Sequence, residues 1–379
     1  MSDSDFMHLA LSLARRGCGA TSPNPVVGAI LVKDEQIIGH GWHRRAGGPH
    51  AEIEALRNAQ KRGRDARGAT LYVTLEPCCT HGRTPPCTDA ILASGLKRVV
   101  VGATDANPKH AGRAFRILRR AGIEVVRGIL IDECTRLNEA FNHWIVHRTP
   151  FVTVKTAMTL DGKIATASGE SKWITGEQAR AHGRKLRFGS DAILVGVNTV
   201  LADDPGLTAR TKLVAGKSKI TKPLRRIVLD SLARTPIDAK LVSDEHASLT
   251  TVVVSQRAPK KHVAALAQRT NVIVTPSARR KSTADATARI DLRWLMKRLG
   301  REGVVHLLVE GGGEVNASFL EQRLAQRVVF FYAPKILGAR DSRKAVAGTG
   351  ARSLSEVIEL REVEWRQLGP DLMMTARVD

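Results

Sequence analysis

At 379 residues, 43% of them hydrophobic and 25% charged, the chain is too long for one ordinary core and suits two domains of about 150–200 residues each. No run of about 18 apolar residues occurs, so no membrane span is expected, and aromatics at 4% argue against a stacking platform for single-stranded nucleic acid. The net charge of +22 points to anionic partners, yet it is scattered: residues 256–300 hold eleven Lys and Arg against two Asp in a stretch that reads as loops and exposed helix faces, so a solvated basic surface is expected, not specific nucleic-acid binding.

Met1-Ser2-Asp3-Ser4-Asp5 leads directly into a helical pattern, without the basic segment and apolar run of a signal peptide, so a cytoplasmic protein is expected. Helical periodicity over 5–15, 50–62, 88–94 and 112–121 alternates with strand-like runs at 26–32, 69–75, 98–102 and 125–128. That alternation predicts a mainly parallel, helix-covered sheet. Residues 142–150, ending in Pro150, read as a hinge between a domain over 1–145 and a second α/β domain over 150–379. The second carries strand-like runs at 151–157, 192–195, 226–229, 251–254, 272–274, 304–310 and 328–333, and helices at 178–187 and 314–322. Residues 211–223 and 256–290 read as basic loops.

Five cysteines (Cys18, Cys78, Cys79, Cys87, Cys134) are odd in number, and three fall within ten residues, which suits a metal site better than a disulfide framework. Cys18 and Cys134 read as packed thiols. Gly47-Gly48-Pro49-His50-Ala51-Glu52 opens a helix, and Glu76-Pro77-Cys78-Cys79-Thr80-His81 follows a strand. Catalytic zinc takes three nitrogen or sulfur ligands and leaves a position open for water. Glu52 lies about 200° round a helix from His50, which keeps it from chelating on the same face but suits a proton carrier. His-x-Glu with Pro-Cys is the zinc-deaminase signature. Its short Pro-Cys-x-x-Cys is absent, however: eight residues separate Cys78 from Cys87, so Cys79 and His81 also compete as the third ligand.

Gly82-Arg83-Thr84-Pro85-Pro86-Cys87, Pro23-Asn24-Pro25-Val26-Val27-Gly28 and Asp105-Ala106-Asn107-Pro108 resemble the bifunctional riboflavin-biosynthesis deaminase/reductase family. The resemblance implies zinc on His50, Cys78 and Cys87, general acid/base catalysis by Glu52, and no ligand role for Cys79. It implies substrate contacts at Asn24, His43, His81, Arg83, Asp105 and Asn107. Their side chains suit pyrimidine edges and a phosphate.

The second half resembles the reductase domain of the same family. The matching segments are Lys155-Thr156-Ala157-Met158-Thr159-Leu160-Asp161-Gly162-Lys163, Ser168-Gly169-Glu170-Ser171-Lys172-Trp173-Ile174-Thr175, Gly196-Val197-Asn198-Thr199-Val200-Leu201-Ala202-Asp203-Asp204-Pro205, Val309-Glu310-Gly311-Gly312-Gly313 and Ala333-Pro334-Lys335-Ile336-Leu337-Gly338. Strand, glycine turn and helix start around Gly311–Gly313 also form a phosphate cradle on physical grounds, though not a Gly-x-Gly-x-x-Gly fingerprint. The implied fold is a cytidine-deaminase-like αβα domain followed by a dihydrofolate-reductase-like α/β domain. The implied NADPH site comprises Ala157, Trp173, Thr199, Asp203, Ser231, Gly312, Gly313, Glu314, Val315, Asn316, Ala317 and Ser318. Ser171, Arg187, Leu207, Arg210 and Glu310 would line the substrate site, with Arg187 and Arg210 as phosphate clamps. The expected activity is hydrolytic deamination of a phosphoribosylated diaminopyrimidine, then NADPH-dependent reduction of ribosyl to ribityl, by a homo-oligomer.

Overall fold

The computed structural model describes residues 1–81, 85–211, 220–222, 224–276 and 289–378. Two compact units divide the chain, Met1–Arg148 and Thr149–Asp379.

The first unit runs α1 (Asp3–Arg15), β1 (Gly28–Lys33), β2 (Gln36–Trp42), α2 (Ala51–Lys61), β3 (Thr70–Leu75), α3 (Cys87–Ala93), β4 (Arg98–Ala103), α4 (Arg113–Arg120), β5 (Glu124–Arg127), α5 (Ile131–Leu137) and α6 (Glu139–His147). Ser2 and Asp5 form a capping box that starts α1. The sheet order is β2-β1-β3-β4-β5. Only β3, β4 and β5 are mutually parallel; β1 is antiparallel to both its neighbours. The sheet is therefore mixed rather than mainly parallel. The reason is an unforeseen hairpin: Asp34 and Glu35 both take positive φ, 49° and 58°, a turn conformation that normally advertises itself with Asn-Gly. The expected hinge is corrected as well, because 139–147 is helical.

Two close approaches lock the helices to this sheet. A Cβ on Gly28 would lie 2.0 Å from the Ala10 carbonyl oxygen of α1, and one on Gly41 would lie 2.5 Å from the Ala55 nitrogen of α2. Gly28 pairs with Trp42 and Gly41 with Ala29, so the two glycines face opposite sides of the ladder and α1 and α2 cover opposite faces. Met7, Ala10, Leu11, Ile30, Leu31, Leu71 and Val99–Val101 fill the core.

The second unit contains β6 (Phe151–Thr159), β7 (Lys163–Ala165), α7 (Glu177–Phe188), β8 (Ala192–Gly196), α8 (Val197–Asp203), β9 (Ala209–Thr211), β10 (Ile220–Lys222), β11 (Arg225–Leu229), α9 (Lys240–Ser243), β12 (Thr250–Val254), α10 (Lys260–Ala267), β13 (Asn271–Val274), α11 (Leu292–Arg301), β14 (His306–Val309), α12 (Gly313–Glu321), β15 (Arg327–Ala333), β16 (Arg343–Lys344), β17 (Leu360–Leu368) and β18 (Asp371–Val378). Nine strands form one sheet in the order β13-β12-β11-β8-β14-β6-β15-β18-β17. It is parallel from β13 to β15, with the β17–β18 hairpin added antiparallel at one edge. The basic stretch expected to be loop contains helix α10, and residues 277–288 of it lie outside the described residues. None of the helices in the described residues is long and apolar enough to cross a membrane.

Replacing Gly28 with Ala should destabilise the first unit by about 1–3 kcal/mol, because backbone presses on backbone and cannot give. Urea unfolding followed by circular dichroism checks this; an unchanged midpoint would mean that α1 moves away freely.

Candidate active sites

In the first unit the chemistry-bearing residues gather where β3 and β4 end, the place where an open α/β sheet presents a crevice. His50 is the N-cap of α2, Cys78 follows β3, and Cys87 opens α3 behind Pro86. His50 Nδ1 lies 3.2 Å from Cys87 Sγ and 3.4 Å from Cys78 Sγ, and Cys87 N–H donates to Cys78 Sγ at 3.3 Å. The three ligand atoms lie within 4.8 Å of one another, and they are the one such group among the described residues.

The electrostatics of this trio are those of a site built for a cation. A hydrogen bond from Cys87, together with His50, holds the Cys78 thiol down at about 4, while Cys78 and burial push Cys87 far up. The two thiols thus act on one another in opposite directions, and a bound dication would favour the thiolate form of both. The hydrogen bond to Cys78 raises His50. The sulfur and imidazole donors suit zinc. Glu52 is 3% exposed, and burial, then Cys78, pushes its carboxyl up. Its side chain bonds that of Cys87.

A cleft of about 410 Å³ opens over the trio, lined by Asn24, His43, Glu52, Asp105 and Asn107 among others. His43 Nδ1 meets the Pro49 carbonyl at 3.0 Å and Nε2 meets Asn24 Nδ2 at 3.2 Å. The amide N–H can only donate to Nε2, so the ring is neutral with its proton on Nδ1, and burial lowers its pKa in the same sense. His81 is exposed and outside the lining, and Arg83 lies outside the described residues. Cys79 Sγ sits 3.6 Å from His110 Nδ1, away from the trio.

Motif reading missed Glu76, Thr80, His110, Phe141, Trp144 and Ile145, which also line the cleft. A signal for the last three existed: apolar residues at i, i+3 and i+4 mark a helix face, here running from Phe141 into the segment expected to be a hinge.

In the second unit a cleft of about 730 Å³ lies beyond the ends of β8 and β14. Of the expected residues, Ser171, Thr199, Asp203, Gly312, Gly313, Glu314 and Val315 line it. Arg343 and Lys344 of β16 join them, although no periodicity marked them. A Cβ on Gly313 would meet the Lys344 carbonyl at 2.3 Å, whereas Gly312 has nothing within 4 Å and opens into the cleft. The first-turn amides of α12, which have no intrahelical partners, start at this point. Such a cradle fits a dinucleotide phosphate.

The other expected residues are placed differently. Ala157 packs beside Phe331. Asn316 and Ala317 are buried, with Asn316 Nδ2 donating to the Ala345 carbonyl at 2.8 Å, and Ser318 bonds back to the Glu314 carbonyl. Trp173 is 66% exposed beneath the Arg180 guanidinium. The Ser231 carbonyl accepts from the Ser255 hydroxyl at 2.7 Å. Leu207 is buried with φ of 46°, and Arg210 lies in β9 opposite Thr221. Arg187 grips Glu310 with two bonds of 2.8 Å, and Lys155 Nζ lies 3.6 Å from the same carboxylate.

Comparison with known proteins covers both units. Residues 1–103 match the cytidine and deoxycytidylate deaminase zinc-binding region, and residues 150–374 match the RibD C-terminal domain. The chain is 42% identical to the riboflavin biosynthesis protein RibD of Actinobacillus pleuropneumoniae, over 99% of this chain and 95% of that one. It is 39% identical to the Escherichia coli RibD, over 99% of each. Among solved structures, Acinetobacter baumannii RibD superposes with a TM-score of 0.84 at 34% identity, covering 100% of this chain and 99% of that one. A Thermotoga maritima diaminohydroxyphosphoribosylaminopyrimidine deaminase/5-amino-6-(5-phosphoribosylamino)uracil reductase superposes at 0.81 and 36% identity, with the same coverage.

Burial alone would raise the Glu310 carboxyl; Arg187 and Lys155 overcome it and hold it at about 2, below the ordinary 4.5. A depressed folded-state pKa stabilises above the ordinary value and loses its contribution as pH falls towards 2. The thermal-stability advantage of the wild type over Glu310→Gln should therefore be full at neutral pH and shrink below about pH 4.5. Melting curves from pH 7 to pH 3 check this, and an advantage independent of pH would refute it.

Proposed function

Because the chain belongs to the RibD family of riboflavin-biosynthesis deaminase/reductases, we propose that its first unit deaminates 2,5-diamino-6-(5-phosphoribosylamino)pyrimidin-4-one and its second reduces the ribosyl group of the product to ribityl with NADPH. The observation that carries this reading is the His50, Cys78 and Cys87 trio with a buried, non-ligating carboxylate beside it.

His50, Cys78 and Cys87 would hold zinc, which when bound supplies Lewis-acid activation of water. Glu52 accepts the proton of the attacking water on its carboxylate and passes it to the departing amine, so that ammonia leaves. Its burial favours this work, since a carboxyl kept close to its own neutral form exchanges protons readily. Asn24, Asp105 and Asn107 offer amide and carboxylate groups to the pyrimidine edges. Neutral His43 is held between Asn24 and Pro49 and orients that wall. His81 and Arg83 are retained as candidates for the phosphate.

In the second unit NADPH supplies hydride. The Gly312–Val315 turn and the start of α12 would take its phosphates, with Thr199, Asp203 and Ser231 along the rest of the cofactor, and Ala157, Trp173, Asn316, Ala317 and Ser318 supporting its walls. Ser171, Leu207, Arg210 and the Arg187–Glu310 pair would hold the substrate. Positioning and charge suffice here, with no covalent side chain. A cytoplasmic setting would keep the Cys78 and Cys87 thiols reduced for the metal. Self-association would cover the exposed Trp365 and Leu372 on the β17–β18 hairpin.

Ammonia release and NADPH oxidation, followed together on the diaminopyrimidine substrate, test the whole reading. Cys78→Ser and Cys87→Ser should lose zinc and deamination, while Cys79→Ser keeps both. Glu52→Gln should keep zinc and lower deamination by about 10²–10⁴-fold. Zinc loss in Glu52→Gln, or an empty site in Cys79→Ser, would refute the assignment.

A further inference from the structure

Glu76 belongs to neither the metal set nor the proton relay, yet it is a carboxylate that is 3% exposed, two residues before Cys78. Its backbone N–H donates to the Ala103 carbonyl at 2.9 Å, fixing it across the ends of β3 and β4. Its side chain then accepts three backbone N–H bonds from one distant loop. Oε2 takes Asp105 at 3.2 Å and Gly112 at 2.9 Å; Oε1 takes Ala114 at 3.1 Å. Gly112, with φ of 79°, is the N-cap of α4 and has no side chain to satisfy that helix start, so Glu76 caps it from outside.

Between the two anchor points lies the part of the loop that faces the cleft. Asp105 Oδ1 accepts from Asn107 N–H at 2.8 Å, the Asn107 carbonyl accepts from His110 N–H at 2.9 Å, and all three residues line the deaminase cleft. We propose that Glu76 is the positioning residue of the deaminase: its carboxylate clamps the 105–112 loop at both ends and so sets where Asp105, Asn107 and His110 meet the pyrimidine. Because the same residue is followed directly by Pro77-Cys78, the loop that reads the substrate and the loop that carries the metal ligand are referred to one rigid point. The proposal rests on the reading above that Asp105 and Asn107 contact the substrate.

A side-chain amide cannot replace this carboxylate. Both oxygens accept, so in Glu76→Gln the NH₂ group must face at least one N–H donor. The loop then loses its register while the zinc trio and Glu52 keep theirs. Deaminase kinetics with zinc content measured on the full chain test this. Glu76→Gln should raise KM by about ten-fold or more with kcat within about three-fold, because the lost contacts serve ground and transition states alike. Zinc content should not change. An unchanged KM overturns the proposal, whether activity is intact or kcat and zinc fall together; the latter pattern is that of a merely structural residue. Should Glu76→Gln fail to fold, Glu76→Asp, which keeps both acceptors on a shorter stem, is read by the same criteria. Amide exchange of Asp105, Gly112 and Ala114 in the wild type is a further check, and exchange at free-loop rates overturns the clamp. Asn107→Ala separates the two levels: if it leaves KM unmoved, the substrate-contact reading fails, and if it raises KM while Glu76→Gln does not, only this inference fails.

Discussion

Two sulfurs and one imidazole nitrogen within 4.8 Å of each other, with a buried carboxylate at hand, form an arrangement that a protein interior does not tolerate without a reason. Each group would carry or attract charge, and a thiolate on one sulfur opposes ionisation of the other. A dication relieves all of this at once. Much of the first unit serves to hold these groups together. Capping by His50, the strand end before Cys78 and the helix start at Cys87 bring three distant parts of the chain to one point.

The same constraint, charge gathered where parallel strands end, recurs in the second unit. There Glu310, its side chain only 10% exposed, follows the end of β14, and Arg187 compensates it in a bidentate pair instead of a metal. Removing one partner of such a pair leaves an uncompensated charge, which is why it needs a rigid frame. A second compensated charge in this unit is Arg226, 1% exposed, whose five N–H donors are all used, on Thr250, Gly206, Leu241 and twice on Asp244. Its bond to the Gly206 carbonyl holds the backbone immediately before Leu207. Asn138 works similarly in the first unit. Its amide donates to the Val26 carbonyl and accepts from the Val26 N–H, fixing the segment that carries Asn24.

Glu76, Asn138 and Arg226 share a property that explains why motif reading passes over them. Each acts on backbone groups between 15 and 112 residues away, and backbone groups carry no residue identity. Spacing along the chain cannot reveal a partner that any amino acid could supply.

Residue chemistry by itself determined the zinc-deaminase signature, the glycine turn before a helix, and most of the strands and helices, because each is written in local spacing or periodicity. It did not determine the β1–β2 hairpin, whose turn uses Asp34 and Glu35 in place of the usual residues, and helix α6, though marked by apolar spacing at Phe141, Trp144 and Ile145, reads as a hinge until the cleft those residues line is seen. Spacing left Cys79, His81 and Cys87 open as ligands. The tertiary structure brought Cys87 to His50 and turned Cys79 towards His110, because Cys87 opens α3 against the N-cap of α2 whereas Cys79 follows β3 next to the loop that carries His110. Local sequence specifies which groups are available; only closure of the chain decides which of them meet.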